Sequence, residues 1–323
     1  MNFTKAKMVI ITNCLLTDFL HGSIAGILLA LVTNTAKAHL EGLKTADNVA
    51  QAKGEIFEHS RPDAKALIFR DDPRYHILES CARANEKIDE IIGFGQGDQA
   101  HVRAKNISPR GQWTQFTLHT PEGPLDCILN SGAQFMVNNA LGAAAAARMA
   151  GIKAQDIQAG LQEFTPVAGR MAIQVLPNGA HLLDDTYNAN PASMGAGLDT
   201  LAQLAMPTQG RTIAVLGDML ELGEETQEAH AKMGKKACTL DLSFLFLYGP
   251  HMEKAYTEAL NHGMTAEQVF HGSKKDIALK LISLISKEDW ILVKGSRSMA
   301  METIIQEIQK ELTQEDSHGN SLQ

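Results

Sequence analysis

The second half of the chain alternates short, continuously apolar runs with longer stretches in which apolar residues recur at helical spacing. His181-Leu-Leu-Asp-Asp-Thr-Tyr187, Thr212-Ile-Ala-Val-Leu216, Leu242-Ser-Phe-Leu-Phe-Leu-Tyr248, Gln268-Val-Phe270 and Trp290-Ile-Leu-Val293 read as strands. Helical patterns follow them over 191–204, 224–240, 251–260, 274–285 and 299–312. A strand that is apolar throughout, and not on alternate residues, is buried on both faces, and crossover helices are what cover it. The pattern therefore predicts an α/β fold with a parallel sheet wound on both sides.

The first half is more mixed. Asn48 to Phe57 reads as helix and Ala66 to Phe69 as strand. Thr114 to Thr120 alternates with period two, and the Pro121-Glu-Gly-Pro124 turn leads into Leu125 to Leu129, which predicts a hairpin. Asn139 to Ala150 is a helix stopped by Gly151, and Ala154 to Phe164 is another. Pro and Gly in Thr165-Pro-Val-Ala-Gly169 break both periodicities and place a boundary near residue 166. The expected organisation is one domain over 1–165, with 1–20 unassigned, a second over 166–313, and a polar, frayed tail over 314–323. A length of 323 residues suits two domains at roughly 150 each.

Composition removes several function classes. The net charge is −8, from 29 Lys and Arg against 37 Asp and Glu, with no basic run. Binding to nucleic acid, which needs a positive face to displace counterions, is not expected. The four cysteines stand far apart without a C-x-x-C pair, which suggests a reducing compartment and no disulfide framework. The longest apolar stretch, Ile24 to Val32, is far short of the about 20 residues that span a bilayer, so no membrane insertion is expected. A cytoplasmic protein is the default.

In a parallel α/β sheet, ligands bind beyond the carboxyl ends of the strands. Three strand ends carry polar residues there: Asp184 to Asn190, Gly217-Asp218, and Lys294-Gly295-Ser296-Arg297. The last stands at a helix start, where free N–H groups, the helix dipole and two cations attract an anion. The bland alternative is an N-cap serine beside two solvated cations. Asp184 and Asp185 suit a ribose hydroxyl or a metal, or merely cap the next helix. No G-x-x-x-x-G-K-[ST] phosphate loop is present, and Gly93, Gly95 and Gly97 are spaced too evenly for a dinucleotide fingerprint.

Asp184-Asp-Thr-Tyr-Asn-Ala-Asn-Pro-Ala-Ser-Met194, Val215-Leu-Gly-Asp-Met-Leu-Glu-Leu-Gly223 and Val293-Lys-Gly-Ser-Arg297 resemble, in order and spacing, the carboxy-terminal domain of the Mur ligase family of bacterial cell-wall synthesis. Ala38-His-Leu-Glu-Gly42, Ala52-Lys-Gly-Glu-Ile-Phe57, Asn139-Ala140-Leu141 and Gly169-Arg170-Met171 fit the same family. The resemblance implies an incomplete central ATPase domain followed by a Rossmann-like doubly wound domain. It implies a monomeric, ATP- and Mg2+-dependent amide ligase. ATP phosphorylates the terminal carboxylate of UDP-N-acetylmuramoyl-tripeptide, and the amine of D-alanyl-D-alanine attacks the acyl phosphate. Residue by residue, it implies that His39 ligates magnesium and that Lys53 does so as a carbamate. Asn139 reads the adenine, Arg170 reaches the ATP phosphates and Asp185 holds the ribose. Asn188, Asn190, Lys294, Ser296 and Arg297 receive the dipeptide. Lys53, His39 and Arg170 form the implied catalytic set. Unaided by the resemblance, His39 reads as a surface histidine and Lys53 as a solvated helix lysine.

The family's UDP-binding domain and phosphate loop have no counterpart in the sequence, and Phe135 stands where a histidine is expected. Losing several phosphate contacts costs many orders of magnitude in a reaction governed by positioning and electrostatics. The expectation is a ligase by descent with little turnover. The alternative is a non-catalytic binding or interaction remnant that keeps its ligand cleft.

Overall fold

The computed structural model describes residues 7–11, 27–35, 43–58, 60–208 and 210–319. The chain divides into two compact units, Met1–Asn130 with Gln134–Phe164, and Ser131–Ala133 with Thr165–Gln323.

The first unit is built on a seven-stranded sheet whose order follows the chain. Its strands are β1 (Lys7–Ile11), β2 (Ile27–Val32), β3 (Ser60–Phe69), β4 (Ile88–Gly95), β5 (Val102–Arg110), β6 (Trp113–Thr120) and β7 (Gly123–Leu129). β1 to β5 are parallel, and β6 and β7 add an antiparallel hairpin. The helices are α1 (Ala46–Gly54), α2 (Tyr75–Arg83), α3 (Met136–Met149) and α4 (Ala154–Gln162). Alternation along the strands sorts their side chains into two cores. Leu29, Leu31, Leu67, Ile92 and Phe94 pack with Val137, Leu141 and Ala145 of α3 and with Ile157 and Leu161 of α4. Ala30, Val32, Ala66 and Ile68 point the other way, onto Ile56, Phe57 and the Leu78 and Ala82 face of α2. β1 falls in the stretch the sequence leaves unassigned. β4 and β5 also escape the sequence pattern, because Asp89-Glu90 and Lys105-Asn106 interrupt their apolar residues.

The second unit holds β8 (Ala172–Val175), β9 (His181–Asp185), β10 (Thr212–Gly217), β11 (Phe244–Tyr248), β12 (Val269–His271) and β13 (Trp290–Lys294), in the order β12-β11-β10-β13-β9-β8. The pairs from β12 to β9 are parallel. The five strands read from the sequence are the parallel ones; the edge strand β8, which the sequence pattern does not show, is antiparallel to β9, enters by a short turn and needs no crossover. Helices α5 (Pro191–Ala205), α6 (Thr226–Thr239), α7 (Met252–Asn261), α8 (Lys274–Leu284) and α9 (Glu302–Gly319) cover it. Ile213, Val215, Ile291 and Val293 pack against Ile277 and Leu281 of α8 and Ile304 and Ile308 of α9. Leu292 faces α5, where Gly197 lets the helix sit close.

α9 runs to Gly319, through residues expected to fray. The polar run Gln314-Glu-Asp-Ser317 holds no Gly or Pro, and helical hydrogen bonds do not require an apolar side chain. Asn190 caps α5 in a capping box with Ser193, and Pro191 supplies a first-turn residue with its φ already set.

Candidate functional site

β9, β13 and β10 are consecutive neighbours in the second sheet, so the three polar strand ends lie side by side on one edge. β10 leads outward to β11 and β12, and β13 returns on its other side. The crevice between β10 and β13 is therefore the switch point at which such sheets bind ligands.

Asp185 and Lys294 are register partners on β9 and β13 and form a buried ion pair, at 9% and 2% exposure. Lys294 Nζ also donates to the Asn188 carbonyl at 2.9 Å. Burial raises the Asp185 pKa above the ordinary carboxylate value, opposed by the Lys294 charge. Asp184 faces other partners, and its carboxylate accepts from Gly169 N at 2.8 Å and from Thr186 Oγ1 at 2.7 Å. That ties the Gly169-Arg170 turn to the end of β9. Gly169 has φ +78, and a Cβ there would lie 3.2 Å from Tyr187 N, so the turn needs glycine. Arg170 itself stacks on the exposed Tyr187 ring, its guanidinium carbon 3.9 Å from the centroid.

The loop after β13 is pinned to the loop after β10. Ser296 N donates to Asp218 O at 3.0 Å, and Ser296 Oγ accepts from Leu220 N at 2.8 Å. The Asp218 carboxylate in turn accepts from Met252 N at 3.0 Å and His251 N at 3.3 Å, at the start of α7. His230 is fully buried beneath them. Its Nε2 accepts from Met219 N at 3.0 Å, so Nδ1 carries the proton and donates to Thr226 O at 2.6 Å. Burial lowers its pKa. Arg297 extends from this braced loop, 61% exposed along its side chain, with Nη1 donating to Glu302 at 2.8 Å. Asn188 is exposed at the same edge, and Asn190 spends its side-chain oxygen on the α5 cap.

In the first unit, Lys53 is buried at 4% exposure, not solvated, and its Nζ donates to Asn34 O at 2.8 Å just beyond β2. Beside it, the Asp72 carboxylate after β3 accepts from Thr35 N at 2.6 Å and from Arg74 N at 2.8 Å. Asn139 is exposed on α3, its amide against Met136 Sδ. Its neighbour Asn138 accepts from Gln96 Nε2 at 2.8 Å, which joins α3 to the loop after β4. His39 lies outside the described residues. Among the described residues, no group of three His, Cys, Asp or Glu side chains is placed to hold a metal ion. The Lys53 ammonium, donating to a carbonyl, is not itself an oxygen ligand, whereas a carbamate on the same nitrogen would be one. Sequence reasoning missed Asp72, His230 and Glu302, and gave Asp218 no role. Asp218 alone had a signal, its place in the Gly217-Asp218 strand end.

Comparison with known proteins decides the family. The model described as Mur ligase middle domain matches residues 21–147, and that described as Mur ligase, glutamate ligase domain, matches residues 169–297. The UDP-N-acetylmuramoyl-tripeptide–D-alanyl-D-alanine ligase of Escherichia coli (strain K12) is 34% identical over 283 residues, covering 87% of this chain and 60% of that protein. The chain belongs to the Mur ligase family. Among solved Mur ligases, MurF from Acinetobacter baumannii superposes with a TM-score of 0.76 at 28% identity, over 88% of this chain and 60% of the other. MurF from Thermotoga maritima, solved in complex with ADP, shares the fold with a TM-score of 0.75 at 24% identity, over 90% of this chain and 64% of its own. The chain thus spans about 60% of the length of the curated Mur ligases it matches.

Proposed function

We propose that the chain carries the nucleotide-gripping and amine-gripping parts of an ATP-dependent ligase of peptidoglycan precursors. It would join D-alanyl-D-alanine to UDP-N-acetylmuramoyl-tripeptide in the cytoplasm, as a monomer. ATP transfers its γ-phosphoryl group to the tripeptide carboxylate. The dipeptide amine then attacks the acyl carbon, and phosphate leaves as the amide forms. The observation that carries the reading is the row of Asp185, Lys294 and the Ser296-Arg297 loop along adjacent strand ends.

Each group has a role suited to its chemistry. Asp185, held by Lys294, keeps lone pairs for ribose hydroxyls. Arg170 offers a planar fork to phosphates, and Arg297 offers one to the dipeptide carboxylate. Asn188 lies beside the Lys294 contact, where its amide suits the peptide backbone. Ser296 and Asn190 act by fixing the loops that carry these groups. Asn139 is assigned to the adenine. Mg2+, which neutralises phosphoryl charge when bound, would draw on His39 and on Lys53 as a carbamate.

Calorimetric titration tests this reading. The chain should bind ATP and D-alanyl-D-alanine saturably. Asp185→Asn should weaken ATP about tenfold, and Arg297→Ala should weaken the dipeptide by at least as much. Binding of neither ligand to the unaltered chain would overturn the reading.

A further inference from the structure

We infer that Glu302 is a positioning residue for Arg297 and aims its guanidinium at the carboxylate of the incoming ligand. The inference rests on reading the Lys294–Arg297 loop as the place where the dipeptide carboxylate binds.

The chain reverses sharply after the loop. Arg297–Met299 form a single tight turn, Ala300 takes φ +47, and α9 begins at Glu302. The left-handed region is unfavourable for a residue with a Cβ, so the surroundings must hold the reversal. Lys274 holds it from α8, with Nζ donating to Met299 O at 3.0 Å and Ala300 O at 3.3 Å. Met301 anchors it from below, packed so tightly that a Cβ on Gly295 would lie 2.7 Å from Met301 Cγ. The reversal returns Glu302 to Arg297, whose Nη1 donates to Oε1 at 2.8 Å.

Glu302 is more than an acid in the first turn of a helix. Its second oxygen, Oε2, is buried with no hydrogen-bond partner among the described residues. The Glu302 side chain is 30% exposed and Arg297 61%, so the pair is partly solvated and its effect on Arg297 is orientation more than strength. Arg297 is otherwise an exposed, flexible side chain, which would lose much rotamer freedom on gripping a ligand. Glu302 removes part of that freedom beforehand. In the described contacts it takes one of the five guanidinium N–H donors, and a carboxylate needs two in a fork.

The test titrates the full chain calorimetrically with D-alanyl-D-alanine and with its C-terminal amide, which lacks the carboxylate charge. Glu302→Gln should weaken the dipeptide about two- to fivefold and leave the amide unchanged. Arg297→Ala should abolish the preference for acid over amide, and adding Glu302→Gln to it should cost nothing further. Should Glu302→Gln fail to fold, Glu302→Asp, which keeps the charge and shortens the reach, carries the same expectation. A wild-type acid-to-amide ratio in the Glu302 variants, or an equal loss for both ligands, would overturn the inference. A preference for the acid that survives Arg297→Ala would overturn the reading of the loop itself, and the inference with it.

Discussion

Lys294 and Asp185 stand 109 positions apart in the chain, and the register of β13 on β9 brings them into a buried ion pair. Removing one partner of such a pair leaves an uncompensated charge in a low-dielectric site. Lys294→Met should therefore destabilise the second unit by about 3–5 kcal/mol in urea unfolding, and adding Asp185→Asn should recover most of the loss. A Lys294→Met cost near zero would show the pair to be solvated. His230 gives a second test. Its folded pKa lies below the ordinary value of about 6.5, so below that pH the unfolded chain binds a proton that the folded chain does not. Stability present at pH 7.5 is then lost as pH falls through the folded pKa. Unfolding free energy should drop on the order of 1 kcal/mol between pH 7.5 and 5.5, and His230→Gln should flatten the slope. The two aspartates at the end of β9 were legible as polar residues at a strand end. Their division of labour was not: Asp184 holds a backbone turn and Asp185 holds a lysine, and only tertiary partners distinguish them.

At the scale of elements, the strands of the second unit were legible because burial on both faces leaves them apolar throughout, and Gly-Asp, Gly-Pro and Lys-Gly steps mark their ends. The first unit hid β4 and β5, whose polar residues blur the period. Helix packing was invisible at the sequence level. Gly234, inside α6, reads as a weak point costing about 1 kcal/mol relative to alanine. In the structure a Cβ there would stand 2.0 Å from the Ala255 carbonyl of α7, a backbone atom that cannot swing aside. Gly234→Ala should therefore destabilise by about 1–3 kcal/mol instead of stabilising, as measured by thermal or urea unfolding. A stabilised variant would mean that the two helices pack further apart.

For the whole molecule, each unit has its own sheet, its own covering helices and its own apolar core. Among the described residues no helix is long and apolar enough to cross a membrane. The motifs that carry the family likeness lie in both units. The carboxy-terminal motifs converge on one sheet edge, because β9, β13 and β10 are neighbours although β10 precedes β13 by three strands in the chain. On that convergence rests the proposal that the edge binds ligands, against a scatter of polar caps. The most direct measurement is a crystal structure of the chain grown with D-alanyl-D-alanine and a non-hydrolysable ATP analogue. The dipeptide carboxylate should lie within hydrogen-bond reach of the Arg297 guanidinium, and the ribose hydroxyls within reach of the Asp185 carboxylate. Both ligands ordered elsewhere on the chain, with this edge untouched, would contradict the assignment.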